Sequence, residues 1–154
     1  MTTEKLQEMI QIIVKQAGEL KNKHTIEKDA PVNYACVFSH SEAEYKELTE
    51  AVKTMGKVIK ETNSGLLYHI KDLETVGGIL RILKIRIPDV TKPERGDADF
   101  TVKDYPAFKK TYLSQDGFKL IKRKKFEMIE LMDPKFNVRA YFSHPPLDQQ
   151  LGIS

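Results

Sequence analysis

Two acids at alternate positions, Asp97 and Asp99, are the first residues in this 154-residue chain whose spacing could do chemistry. In an extended segment alternate side chains share a face, so the two carboxylates stand side by side, opposite Ala98 and Phe100. A pair so placed can hold a divalent cation, share a proton as an acid and base, or face water or a strand arginine. Glu130 is a second candidate. Alternation through Lys125–Met132 groups it with Phe126, Met128 and Met132, while Glu127, Ile129 and Leu131 occupy the other face. A strand apolar on both faces is covered on both, so one of the two glutamates is expected in an enclosed setting that raises its proton affinity. Glu130 is favoured as that cavity acid, with a buried pairing to Arg139 of the adjacent strand as the alternative. Arg139 and Tyr141 share a face of the last strand with Ser143 and suit a carboxylate or phosphate on a small ligand, because guanidinium bonds in a bidentate way and phenol adds a directional bond.

His69, beside Tyr68 in another short strand, is the histidine best placed for a base or a metal; His24, His40 and His144 stand apart, and no two histidines show ligand spacing. Glu130 and His69 are therefore the candidate catalytic residues, and Arg139, Tyr141, Asp97 and Asp99 the candidate ligand-binding residues. Any cation would draw on His69, Asp97 and Glu130. The single cysteine, Cys36, excludes an intrachain disulfide and every cysteine-rich zinc motif, and its neighbours Ala35, Val37 and Phe38 read as core. Gly77-Gly78 lacks the frame of a dinucleotide loop, and no phosphate-binding loop, nucleophile elbow or H-E-x-x-H helix is present.

The elements that must position these residues follow from pattern. Composition is that of a globular chain, 40% hydrophobic and 31% charged. Leu6, Met9, Ile10, Ile13, Val14, Ala17 and Leu20 form a helical stripe over residues 3–22, with Thr3 as its cap, and a polar connector extends to Pro31. A strand at 33–38 leads to Ser41-Glu42-Ala43-Glu44, a capping box for a helix that Gly56 stops in a left-handed conformation. Strands at 57–62, 66–70 and 79–87 complete a β-α-β-β-β module, and a Pro-rich charged linker runs from Asp89 to Gly96. Sliding the chain on itself by about 63 residues sets Ala98 on Ala35, Phe100 on Val37, Asp104 on Ser41 and Phe108 on Tyr45. A second helix from Asp104 to about Leu113, with Gly117 in the role of Gly56, and strands at 118–122, 125–132 and 137–144 repeat the plan. The fold class is α+β: an N-terminal helix and two β-α-β-β-β modules in a curved mixed sheet, divided as 1–31, 32–90 and 91–154. One helix per module leaves the other sheet face free to form a cavity.

This plan resembles the vicinal oxygen chelate superfamily, which includes glyoxalase I, bleomycin-resistance proteins and extradiol dioxygenases. The residues that carry the resemblance are Asp97-Ala98-Asp99-Phe100-Thr101-Val102-Lys103-Asp104-Tyr105, similar to the family's opening strand and helix start, and Asp133-Pro134-Lys135-Phe136-Asn137, similar to the turn before its last strand. It spans about residues 33–144. Family enzymes take metal ligands from a histidine of each module's first strand and a glutamate of its last. Here Asp97 stands at the second histidine position, Asn33 or Tyr34 at the first, and Val138, Arg139, Ala140 and Tyr141 where the glutamate would be. A divalent metal is implied by the family, but transition metals are expected to bind weakly.

The reading is a small-molecule-binding protein or divergent enzyme acting on a small organic anion in the concave face. The contrasting reading is a non-catalytic interaction protein that binds a macromolecule through the N-terminal helix or through the basic run Lys119, Lys122, Arg123, Lys124 and Lys125. A net charge of +3 is too small for a nucleic-acid footprint, and that basic run reads first as a hairpin tip that discourages edge pairing. No apolar run approaches the ~20 residues of a membrane span, and no secretory leader is apparent, so no membrane contact and a cytoplasmic location are expected. A homodimer is expected through the N-terminal stripe.

Overall fold

The computed structural model describes residues 1–153. Helix α1 (Thr3–His24) continues past Asn22, and its cap is Thr2 rather than Thr3: the Thr2 hydroxyl accepts from the Lys5 N–H at 3.1 Å. The first module is β1 (Val32–Phe38), α2 (Glu42–Val52), β2 (Gly56–Thr62), β3 (Gly65–Thr75) and β4 (Gly78–Arg86). The second is β5 (Gly96–Phe100), α3 (Tyr105–Tyr112), β6 (Phe118–Lys122), β7 (Glu127–Leu131) and β8 (Val138–His144), followed by a short helix α4 (Leu147–Leu151). The strands form one open mixed sheet in the order β2-β3-β4-β1-β5-β8-β7-β6. The expected α+β plan of two β-α-β-β-β modules is therefore observed, joined edge to edge through β1 and β5.

That junction has a local two-fold character. β1 and β5 run antiparallel with Ala35 opposite Ala98, while β1 pairs parallel to β4 and β5 parallel to β8. Ala35 and Ala98 are also the residues that the internal repeat superposes, so the repeat's axis passes between them. A row of short side chains, Ala35, Ala98 and Ala140, crosses β1, β5 and β8 on one face. α1 packs over this row and touches both modules. Leu6, Ile10, Ile13, Val14, Ala17 and Leu20 are all 0–1% exposed against the sheet, a gross contribution of about 10 kcal/mol from burial. The stripe is thus satisfied within its own chain, which withdraws the reason to expect it at a dimer axis. α2 and α3 complete the layer, and Val37, Leu83, Ile85, Phe100, Ile129, Leu131 and Phe142 fill the core beneath them.

Two local expectations change. Ser41 caps α2 and receives the Glu44 N–H at 3.0 Å, but Glu44 reaches back to the His40 N–H at 2.8 Å, and Arg95 takes the same carboxylate through both nitrogens at 2.8 and 2.7 Å. Gly56 does not end α2 in a left-handed turn. It opens β2, where a Cβ would lie 2.2 Å from the His69 carbonyl oxygen, so close backbone approach demands glycine. Gly117, assigned the same role, does have a positive φ of 91°. Among the described residues no helix is long and apolar enough to cross a membrane.

Candidate functional site

Strand registers place the polar residues in rows on the face opposite the helices. Lys84 on β4 lies beside Cys36 on β1, Cys36 beside Asp97 on β5, and Asp97 beside Arg139 on β8. The next row is Tyr34, Asp99, Tyr141 and Glu130. Phe38 stands beside Arg86, whose guanidinium lies 6.0 Å from the Phe38 ring centroid. Four of the six expected site residues, Asp97, Asp99, Arg139 and Tyr141, are therefore neighbours, and Glu130 adjoins them.

Within this group the pairing is uneven. Glu130 accepts the Tyr141 hydroxyl at 2.6 Å and Arg139 Nη1 at 3.3 Å. Arg139 also donates Nε to Glu94 at 3.0 Å and Nη2 to the Thr91 carbonyl at 3.3 Å. Arg139 and Glu130 are both buried, so the guanidinium that was read as a ligand receptor is neutralised inside the chain, and the buried pairing is the alternative realised for Glu130. Burial, helped by Asp97 and by the bond to Glu130, holds the Tyr141 phenol well above its usual range. Glu127 has its own partners: bonds from Lys109 at 2.9 Å and Tyr105 at 2.8 Å accompany a carboxyl held below the usual range, first by Lys109.

Asp97 differs. Its carboxylate has no hydrogen-bond or ion-pair partner among the described residues, and burial, reinforced by neighbouring Asp99, pushes it up to about 7. Lys84, Arg86 and Lys92 oppose that rise, which places three cations around this one acid. Asp99 is pushed up to about 6, chiefly by burial, although the Ser143 hydroxyl and N–H both donate to it. Tyr34 and Asp97 keep accessible surface while burial is the largest influence on both. Burial lowers Lys84 and Lys92 from their ordinary values, Lys92 also through Arg139 and Arg86. Arg86 keeps a buried Nε without a partner.

Lys84, Arg86 and Lys92 were not among the expected site residues. A signal existed: β4 is a central strand, and cations at alternate positions on its otherwise apolar length mark a face that something polar must meet. His69 is exposed on β3. β4 and β1 separate it from Asp97, three strand spacings or about 14 Å. β8, with Arg139, separates Asp97 from Glu130. These residues do not fit a divalent metal as one ligand set, and no group of three His, Cys, Asp or Glu converges among the described residues. Met132 leaves the concave face to line an outer cavity of about 390 Å³ with Pro93, Pro134 and Phe136.

No family model matches the sequence, and no curated protein matches it. Solved structures do. The one described as Structural Genomics, Protein EC4020 has a TM-score of 0.72 at 10% identity, covering 97% of this chain and 91% of that one. A glyoxalase/bleomycin resistance protein/dioxygenase superfamily member from Vibrio splendidus 12B01 has a TM-score of 0.45 at 11% identity, over 74% of this chain and 97% of that one. Methylmalonyl-CoA epimerase in complex with methylmalonyl-CoA and NH4+ has a TM-score of 0.44 at 16% identity, over 76% and 96%. At 10% identity the likeness to the first of these structures is one of fold.

Proposed function

We propose that the sheet face opposite the helices binds a small organic anion, with Lys84, Arg86 and Lys92 receiving its charge and Asp97 as the group whose protonation responds to it. The observation that carries this reading is the cluster itself: Asp97, a carboxyl without a partner among the described residues, shares one sheet face with Lys84 and Arg86, and those two with Lys92 oppose the rise in its proton affinity. A ligand carboxylate or phosphate would meet Lys84 and Arg86 from β4 and Lys92 from the linker. It would also lie beside Asp97, and like charges that close disfavour ionisation of both. Anion binding should therefore take up a proton at Asp97, so that affinity falls as pH rises through about 7. A carboxyl poised there also suits a general acid or base acting on the bound anion.

Calorimetric titration with acetate, succinate and glycerol phosphate at pH 6 and pH 8 tests this. The expected result is binding that weakens about tenfold across that interval, and a flat profile for Asp97→Asn. Absence of heat from all three probes in both proteins, or a profile unchanged by the substitution, overturns the reading.

A further inference from the structure

The linker between the modules has more length than its task requires. It leaves β4 at Arg86 and starts β5 at Gly96, two strand spacings or about 10 Å apart, whereas its nine residues could span about 30 Å. Its ends are anchored to backbone and core-facing groups. Ile87 N–H donates to the Ser64 carbonyl at 2.9 Å, and Arg95 N–H to the Asn137 carbonyl at 2.8 Å, with the Arg95 side chain on Glu44 and on the Phe38 carbonyl at 3.0 Å. The stretch between is held by side chains, one of them the His40 ring, whose Nε2 meets the Glu94 carbonyl at 2.8 Å. Asp89 takes Arg86 Nη2 at 3.4 Å, Glu94 takes Arg139 at 3.0 Å, and the Thr91 carbonyl takes Arg139 at 3.3 Å. Val90 is 98% exposed and packs on nothing.

Arg139 is the register neighbour of Asp97, and Arg86 lies two strands away on the same face, so each of these two linker carboxylates occupies a guanidinium next to the proposed anion site. Neither bond is indispensable to its arginine. Arg139 carries one charge and faces two carboxylates, so releasing Glu94 leaves it paired with Glu130. Arg86 holds Asp89 by one long bond while its Nε stays unused. We propose that residues 88–94 form a lid over this face, held shut by two resident carboxylates, Asp89 on Arg86 and Glu94 on Arg139, which a bound anion displaces. The lid rests on the anion-binding reading above and adds to it a built-in competitor: the closed form is inhibited by its own side chains, and the ligand is an acid that can replace them. Glu94 contributes more than Asp89, because its bond is shorter and more buried.

Glu94→Gln, which keeps shape and removes charge, separates competition from support. Its succinate affinity, by calorimetry at pH 6, should rise about tenfold over the parent, and amide hydrogen exchange at residues 88–94 should quicken about tenfold without ligand. In the parent, saturating succinate should quicken the same amides. Asp89→Asn gives a second variant with a smaller rise. Parent binding with affinity unchanged or weakened in both variants overturns the lid and leaves the anion reading intact. Slower exchange in the parent with succinate also overturns it. Binding in neither parent nor variant overturns both.

Discussion

The two halves of the concave face share one topology and opposite electrostatics. Around β7 and β8, Arg139, Glu130 and Tyr141 satisfy one another in a buried cluster. From β4 across to β5, Lys84 bonds only the Ser64 hydroxyl, Arg86 leaves Nε unpaired, and Lys92 and Asp97 have no ion-pair partner among the described residues. The comparison teaches that polar residues on a sheet face do not by themselves make a site. A closed network supplies structure, and what is left over is available for a ligand.

The largest consequence follows from that asymmetry. Arg139→Met should cost about 3–5 kcal/mol, because it strands Glu130 as a buried charge. Lys84→Met should change stability by less than ~1 kcal/mol, since no carboxylate is bonded to it among the described residues. Urea denaturation of the two variants checks the difference, and equal losses would erase the distinction between the halves.

Asp97 gives the next effect, with a sign that depends on pH. Its folded proton affinity is raised from 3.8 to about 7, so the folded form holds a proton that the unfolded chain has already released. Stability therefore falls as pH rises from about 4 to about 7 and is level beyond. Asp97→Asn should stabilise the protein at pH 8 by on the order of 2–4 kcal/mol and have little effect at pH 4. Parallel melts at the two pH values report it.

Legibility in the sequence divided along the same line. Helix stripes, Ser41 and Asp104 caps, the repeat offset and the β-α-β-β-β succession of elements in each module are local patterns, and they survive into the structure. The alternation that set Asp97, Asp99, Arg139 and Tyr141 on one face is also local. Which of those charges meet one another is not. Glu94 reaches Arg139 across 45 residues of sequence, Arg95 reaches Glu44 across 51, and neither pairing has a spacing rule. His69 looked suitable because its strand was read in isolation; the strand order then put it at a distance from the acids. α4 carries no apolar stripe, and its Asp148 N–H bond to Asn33 at 3.2 Å is another contact that only the fold creates.

A smaller effect concerns the seam between the halves. Arg95 holds Glu44 below the usual carboxylate range through its bonds to the side chain. With a folded affinity depressed below the unfolded value, the pair contributes above the ordinary carboxylate range and is lost as pH falls through it. Because the carboxylate is partly solvated, Glu44→Gln should cost only about 0.5–1 kcal/mol at pH 7 and nothing at pH 2. Chemical denaturation at both pH values measures the difference.

The smallest change in stability is expected at the basic hairpin. β6 is an edge strand, and Lys122, Arg123, Lys124 and Lys125 are all exposed at its turn. An edge presents unpaired N–H and C=O groups to other chains, and lysines blunt it because docking a second strand would bury or crowd their charges. Lys122→Thr with Lys124→Ser should shift folding stability by less than ~0.5 kcal/mol, since neither ammonium has an ion-pair partner among the described residues. The same double variant should self-associate more than the parent in sedimentation at tens of micromolar. Succinate affinity should stay within twofold, because β6 lies beyond β7 and β8 from Asp97. If the variant stays as dispersed as the parent, the hairpin does not guard the edge, and its charge must be explained by a partner that these lysines attract.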